Sequence, residues 1–354
     1  MPTIPPTAQT PGPSTGPSPG RRPRTVLAMD PPVRDALFDA ATLERLAAVA
    51  DTDPALVVRD FADPAHAEAL ERAEALLTGW GCPMLTAAAL ERMPRLRAVV
   101  HAGGSVKHHV TDACWERGLV VASAAAANAR PVAEYTVASV LFAGKRVLEA
   151  RRAYRERRGP VDALALLSGA GNHRRTVGVV GASRIGRRVI ELLRPYDLDL
   201  LLHDPYLPAG EAARLGARPV SLDTLVRSSD VVTLHAPELP ETRHLFDRDR
   251  LALLRDGATL VNTARGALVD TAALTAELVS GRLYAVLDVT EPEVLPADSP
   301  LYDLPNVLLT PHVAGSLGNE LGRLAHAALD ELERYGRGLP FAEPVRAEDL
   351  HRSA

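Results

Sequence analysis

Cysteine is nearly absent from this 354-residue chain; Cys82 and Cys114 are its two. Two thiols cannot build a disulfide framework, and they do not stand at metal-ligand spacing, so a disulfide-stapled scaffold and a cysteine-bound metal domain are both set aside. No run of about 18 uncharged apolar residues exists, so no stretch reads as a bilayer-spanning helix. The start, MPTIPPTAQTPGPSTGPSPGRRPR, lacks the apolar middle of a secretory signal. Positive charge is not in excess either. Forty Lys plus Arg face 44 Asp plus Glu, a net −4 at pH 7, which gives no general attraction for nucleic acid or an anionic membrane. Lysine occurs only at Lys107 and Lys145, an arginine bias that reads as base composition of the gene. What remains is 46% hydrophobic and 24% charged, ordinary for a globular protein. At roughly 150 residues per domain, the expectation is a cytoplasmic α/β or α+β protein of two domains.

Residues 1–23 are rich in Pro, Thr, Ser and Gly; with so little apolar surface to bury, they are expected to form a disordered tail. From Arg24 the texture changes to short apolar runs separated by segments of helical period: RTVLAMD, ALVVRDF, ALLTGW, LRAVVHAGG and GLVVAS. Strand and helix in alternation predict a parallel sheet with crossover helices, ending near Ala127. Arg130-Pro131 is read as opening a long helix, VAEYTVASVLFAGKRVLEARRAYRER, with proline at its first position. A second series follows: RTVGVVG, LDLLLHD, DVVTLHA, ATLVNTA, LYAVLDV and NVLLT, then an amphipathic helix over about Asn319 to Tyr335.

The run RTVGVVG leads directly into Gly181-Ala182-Ser183-Arg184-Ile185-Gly186. A strand, a glycine turn G-x-G-x-x-G and a helix are the fingerprint of a dinucleotide site, the middle glycine letting backbone approach the pyrophosphate. Here Ser183 holds the middle position, adding a Cβ and a hydroxyl able to donate to a phosphate oxygen. The next strand ends in Asp204, close to the ~20-residue distance at which an acid receives the ribose hydroxyls of NAD and repels a 2′-phosphate. A glycine turn beside a surface aspartate is the bland alternative; the strand before and the acid after favour dinucleotide binding.

Three polar residues follow apolar strands, where an open parallel sheet presents its ligand crevice: Arg265 after ATLVNTA, Glu293 after LYAVLDV and His312 after NVLLTP. A guanidinium clamps a carboxylate bidentately. An imidazole trades a proton with a carbonyl or hydroxyl oxygen, and an acid beside it holds the ring and favours its charged form. The set suits hydride transfer to and from a small acid.

The segments VNTARGALVD, LDVTEPE, LLTPHVAG, DVVTLHAPELPETRHLFD and VAEYTVASVL resemble the D-isomer-specific 2-hydroxyacid dehydrogenase family, over about Leu96 to Leu329. The resemblance implies two doubly wound parallel-sheet α/β domains, Rossmann-like and flavodoxin-like, with a cleft between them. Residues 24–127 with 317–350 would bind substrate, and 128–316 would bind NAD. It implies that Arg265 binds the substrate carboxylate, that His312 is the acid/base and that Glu293 is its partner. Cofactor contacts carried over by position are Gly181, Ser183, Arg184, Ile185, Gly186, Asp204, His235, Ala236, Pro237, Thr242, Thr263, Ala264, Asp288 and Gly315. Asp288 would accept from the nicotinamide amide, and Gly103, Gly104 and Ser105 would cradle the substrate carboxylate. A homodimer through the nucleotide domain is implied as well, and no regulatory domain is expected after the pattern.

Plainer roles stand beside these. Glu291 is an alternative partner for His312, with motif spacing favouring Glu293. Asp288 is alternatively a strand end; His235 and His244 read as loop or surface residues rather than catalysts. Lys107, His108 and His109 are either a cationic rim or a solvated helix start, and the two cysteines are small core residues. The loop HAGGSVKHHV lacks the acid or amide the family often carries after its glycines, which leaves the substrate open. Two rivals remain: a phosphonate-type dehydrogenase, and an NADH-sensing, corepressor-like binding protein. A formate-type enzyme is disfavoured because those relatives carry glutamine where Glu293 stands.

Overall fold

The computed structural model describes residues 20–208 and 210–350, so most of the expected tail lies outside the described residues. Residues 20–23, assigned to that tail from composition, are instead tied down. The Gly20 N–H donates to the Gly336 carbonyl at 3.3 Å, Arg22 donates to the Ala47 carbonyl at 2.7 Å, and Arg21 pairs with Glu74. Two compact units take Met1–Ala124 with Ala325–Val345, and Ala125–Leu324 with Arg346–Ala354. The crossings thus fall at 124/125, 324/325 and 345/346, against the 127/128 and 316/317 read from the sequence, which kept 317–350 together.

The first unit is a parallel sheet of β1 (Thr25–Ala28), β2 (Val57–Val58), β3 (Ala75–Thr78), β4 (Ala98–His101) and β5 (Val120–Ser123), ordered β2-β1-β3-β4-β5. Strands β1, β3 and β4 are buried at every position. Both faces are therefore covered, which is why the sequence shows continuous apolar runs rather than alternation. Behind the start of the Gly103–Ser105 loop lies a buried polar cluster. The Thr78 hydroxyl stands 2.9 Å from His101 Nδ1 and 3.2 Å from His109 Nε2, and the two rings lie 4.6 Å apart. His109, read as rim or solvated residue, is buried, because its ring turns inward to that hydroxyl.

Burial, and then the neighbouring imidazoles, push His101 down to about 3 and His109 down to about 4. Both stay neutral in the fold while the unfolded chain takes up protons near pH 6.5. Their stability contribution is therefore present above about pH 6.5 and lost as pH falls toward the folded values. Melting temperature is expected to fall between about pH 7 and pH 5, and less steeply in His101→Leu. Equal slopes for the two proteins would refute this.

The second unit holds β6 (Arg175–Val180), β7 (Leu198–His203), β8 (Arg218–Pro219), β9 (Val231–Leu234), β10 (Thr259–Asn262), β11 (Tyr284–Leu287) and β12 (Val307–Leu309). Their order is β12-β11-β10-β9-β6-β7-β8, all parallel. The order reverses between β6 and β9, and a doubly wound sheet binds its ligand outside the carboxyl ends at that switch point. Phe246, Leu225, Leu234 and Leu260 fill one face, and Ile190, Leu193, Val177 and Val261 the other. Fully burying each such side chain contributes about 1.5–3 kcal/mol. A last strand, β13 (Pro344–Val345), returns to pair antiparallel with β5 in the first unit.

The long helix after β5 differs from expectation. It spans Ala125–Gly144 with Pro131 inside it. Ala-rich AAANA extends the helix backward, so Pro131 stands at its seventh position, where it costs the helix the one bond that an N–H there would give to the Ala127 carbonyl. The chain then breaks at Arg146 (φ 49°) before a separate helix, Val147–Arg157. No helix among the described residues is long and apolar enough to cross a membrane.

Candidate active site

Strand β6 ends at Val180, and Gly181 takes φ 97°. A Cβ there would stand 2.7 Å from the Ala236 nitrogen, so the turn after β9 lies directly against it. A Cβ on Gly186 would overlap the Gly181 carbonyl oxygen. These absences of side chain form a cradle at the start of the helix Arg184–Leu193, where free N–H groups and the helix dipole favour a phosphate. Ser183 is the helix N-cap, its Oγ accepting from Gly186 N–H at 3.3 Å; its own hydrogen remains to donate. Ser183→Ala is expected to cost about 1 kcal/mol in chemical denaturation, and Ser183→Gly only a few tenths; an alanine variant as stable as wild type would remove the cap.

Asp204 accepts from Ala182 N–H at 2.7 Å and from Tyr206 N–H at 2.8 Å. A carboxylate has about four lone-pair sites, which leaves two for ribose hydroxyls. Behind the turn sits His235, which is buried rather than on the surface, since the backbone after β9 packs under the glycines. Its Nε2 stands 2.9 Å from the Thr233 hydroxyl, and burial pushes it down to about 3. Thr242 donates to the Pro237 carbonyl at 2.7 Å, closing the 235–242 turn. These groups fit a dinucleotide.

Strand β10 delivers the next piece. Asn262 donates to the Arg265 carbonyl at 2.9 Å and accepts from Ala264 N–H at 3.1 Å, folding 262–265 into a tight turn. Thr136 gives its proton to the Val132 carbonyl, so Thr263 donates to Thr136 across 2.9 Å. Arg265 is half-buried and donates to the Ala264 carbonyl at 2.7 Å. Burial lowers its guanidinium from the ordinary value, opposed by the charges of Glu238 and Glu293. A Cβ on Gly266 would overlap the Thr290 carbonyl and lie 2.6 Å from Glu291 N. The arginine turn and the segment leading to Glu293 are therefore in backbone contact.

His312 Nδ1 and Glu293 Oε1 are 2.6 Å apart, leaving Nε2 for another partner. Glu291, the alternative, is engaged elsewhere, with Arg243 at 2.7 Å and His244 at 3.3 Å. His312 has φ 55°, a left-handed conformation that a bulky residue adopts only under constraint. The constraint is Asp288: its backbone carbonyl accepts from His312 N–H at 2.9 Å. Its buried carboxylate accepts from Val313 and Ala314 N–H at 2.8 and 2.9 Å. Gly315 stands beside Asn128, whose Oδ1 accepts from Ser316 N–H at 2.9 Å. Arg184 is exposed at the helix start. Gly103, Gly104 and Ser105 lie in the first unit after β4, with Ser105 Oγ accepting weakly from Lys107 N–H at 3.5 Å. Among the described residues no cluster of His, Cys, Asp and Glu could hold a metal ion. Of the two cysteines, Cys114 is buried and Cys82 only partly so.

A doubly wound sheet with a glycine cradle at its switch point, and an arginine and an imidazole–carboxylate pair beyond strands β10 to β12, defines a dinucleotide-binding class. Residues 137–314 match the model of the D-isomer specific 2-hydroxyacid dehydrogenase NAD-binding domain, and the chain belongs to that family. It is 36% identical over 70% of its length to a D-3-phosphoglycerate dehydrogenase of Mycobacterium bovis, covering 46% of that relative. It is 34% identical to a glyoxylate reductase of Aeropyrum pernix over 70% of this chain and 76% of that one. The chain thus spans about half the length of the phosphoglycerate dehydrogenases it matches. Among solved structures, D-lactate dehydrogenase from Aquifex aeolicus, complexed with NAD and lactic acid, superposes with TM-score 0.70 at 27% identity, over 89% of this chain and 96% of that one. The cofactor is NAD.

Proposed function

We propose that the protein interconverts a 2-oxo acid and its D-2-hydroxy acid, in the manner of a hydroxypyruvate or glyoxylate reductase. The observation that carries this is the His312–Glu293 pair at 2.6 Å beyond strands that also deliver Arg265, a half-buried guanidinium with no ion pair among the described residues. Bound NAD supplies the hydride acceptor, or as NADH the donor. Gly181, Ser183, Arg184, Ile185 and Gly186 hold its pyrophosphate, Asp204 its ribose hydroxyls, and the 235–237 and 242 turn with Thr263, Ala264 and Gly315 the rest. Asp288 has one lone-pair site left for the nicotinamide amide once its three bonds are counted. Arg265 binds the substrate carboxylate and stabilises charge developing on the C2 oxygen. His312 Nε2 exchanges the proton with that oxygen, while Glu293 fixes the ring and compensates its charge. Gly103, Gly104 and Ser105 remain proposed backbone donors to the carboxylate on the resemblance alone.

A cytoplasmic homodimer goes with this reading. Its support is an apolar groove on the second unit lined by Tyr135, Phe142, Val147, Leu148 and Leu308, in which Phe142 is 60% exposed. Light scattering giving a monomer would remove the dimer. The reaction is tested by following NADH absorbance with glyoxylate, hydroxypyruvate, pyruvate, 2-oxobutyrate and an aryl 2-oxo acid, each alone. Oxidation that disappears in Arg265→Ala supports the reading. Silence across the panel with NADH bound would favour the NADH-sensing alternative.

A further inference from the structure

The loop that carries His312 is anchored by a hydrogen-bonded chain that starts on a different element, the helix Ala125–Gly144. Tyr135 Oη lies 2.9 Å from Thr310 Oγ1, and Thr310 Oγ1 lies 2.7 Å from Asp288 Oδ1. The direction follows from proton count. A carboxylate only accepts, so the single Thr310 hydroxyl hydrogen goes to Asp288, and Tyr135 must donate to Thr310. Burial pushes the Tyr135 hydroxyl up, with the Asp288 charge adding to it against the Thr310 bond, so it keeps the proton it donates. Beyond Asp288 the chain divides: Oδ1 also accepts Val313 N–H at 2.8 Å, and Oδ2 accepts Ala314 N–H at 2.9 Å. Thr310 and Val313 thus grip one carboxylate from either side of His312. The Asp288 carbonyl accepts the His312 N–H itself at 2.9 Å.

We propose that Tyr135 and Thr310 are positioning residues for the proposed acid/base: through Asp288 they hold residues 312–314 in the left-handed turn that aims the His312 ring. The proposal rests on the dehydrogenase reading for its effect on turnover, but not for the anchoring itself. Neither side chain is proposed to touch substrate, so the binding of acid and of NADH is expected to survive their loss while the chemical step slows. A bond to a charged acceptor left unmade is worth about tenfold or more in rate where it positions a reacting group.

Two measurements on the full-length protein test this. In Thr310→Val, kcat is expected to fall about tenfold or more with KM for the 2-oxo acid nearly unchanged, and Thr310→Ser is expected to restore it. Tyr135→Phe is expected to give a smaller fall of the same kind. Hydrogen exchange of the Val313 and Ala314 amides, measured without cofactor, is expected to quicken in Thr310→Val and not in Thr310→Ser, while the peptide holding β6 is unaffected. Unchanged exchange and unchanged kcat in Thr310→Val would overturn the proposal, as would a rise in KM alone. Faster exchange in Thr310→Val, together with a wild-type protein that turns over no 2-oxo acid, would sink the dehydrogenase reading and keep the anchor.

Discussion

His312→Ala is expected to lower kcat about 10²–10⁴-fold, the usual contribution of a positioned acid/base group. NADH binding is expected to change little, because the imidazole's hydrogen bond is to Glu293 and the glycine cradle is built from other residues. Glu293→Gln is expected to lose less, since glutamine keeps a hydrogen-bonding oxygen for Nδ1 while giving up the charge. Steady-state rates with the most active acid of the panel, together with an NADH fluorescence titration, check both statements. A His312→Ala protein within a few-fold of wild type would end the assignment of that residue.

The second large effect is expected at Gly186. Alanine there would drive its Cβ into the Gly181 carbonyl oxygen, backbone against backbone, with no side chain able to swing aside. Overpacking of this kind costs about 1–3 kcal/mol, and the strain falls on the turn that receives the pyrophosphate. Gly186→Ala is therefore expected to weaken NADH at least about tenfold and to lower the melting temperature by several degrees. An NADH affinity within about twofold of wild type would show that the turn does not carry the phosphates.

The sequence announces features that are local in the chain. β1, β3, β4 and β10 are buried at every position, and β6 and β11 from Val177 and Ala285 onward, so these short, largely apolar runs stand out between helical segments. The glycine turn and the Arg265, Glu293 and His312 positions are legible for the same reason: each sits just past a strand. What escapes is non-local. Burial of His109 depends on Thr78, 31 residues away, and the Tyr135–Thr310 bond spans 175 residues. Tyr135 reads as one more amphipathic helix residue until the turn after β12 is placed beside it. Asn262 had a signal, an amide ending a strand just before the arginine, yet its two bonds only make sense once the turn is folded. Pro131 misleads in the opposite sense, because a local rule for helix starts yields to an alanine-rich lead-in.

The first sheet is finished by the last part of the chain. β13 closes the outer side of β5, and the helix Leu321–Gly336 meets the N-terminal segment, its Asp330 and Glu333 pairing with Arg45. During synthesis, β5 therefore leaves the ribosome with one side of its backbone unpaired and keeps it so while residues 125–343 are made. An open edge strand is a template for pairing with other nascent chains. The second unit's sheet lies within the single stretch 125–324 and can be completed before the first unit's is. Slowing elongation over residues 125–343 is therefore expected to lengthen the time that the β5 edge is bare.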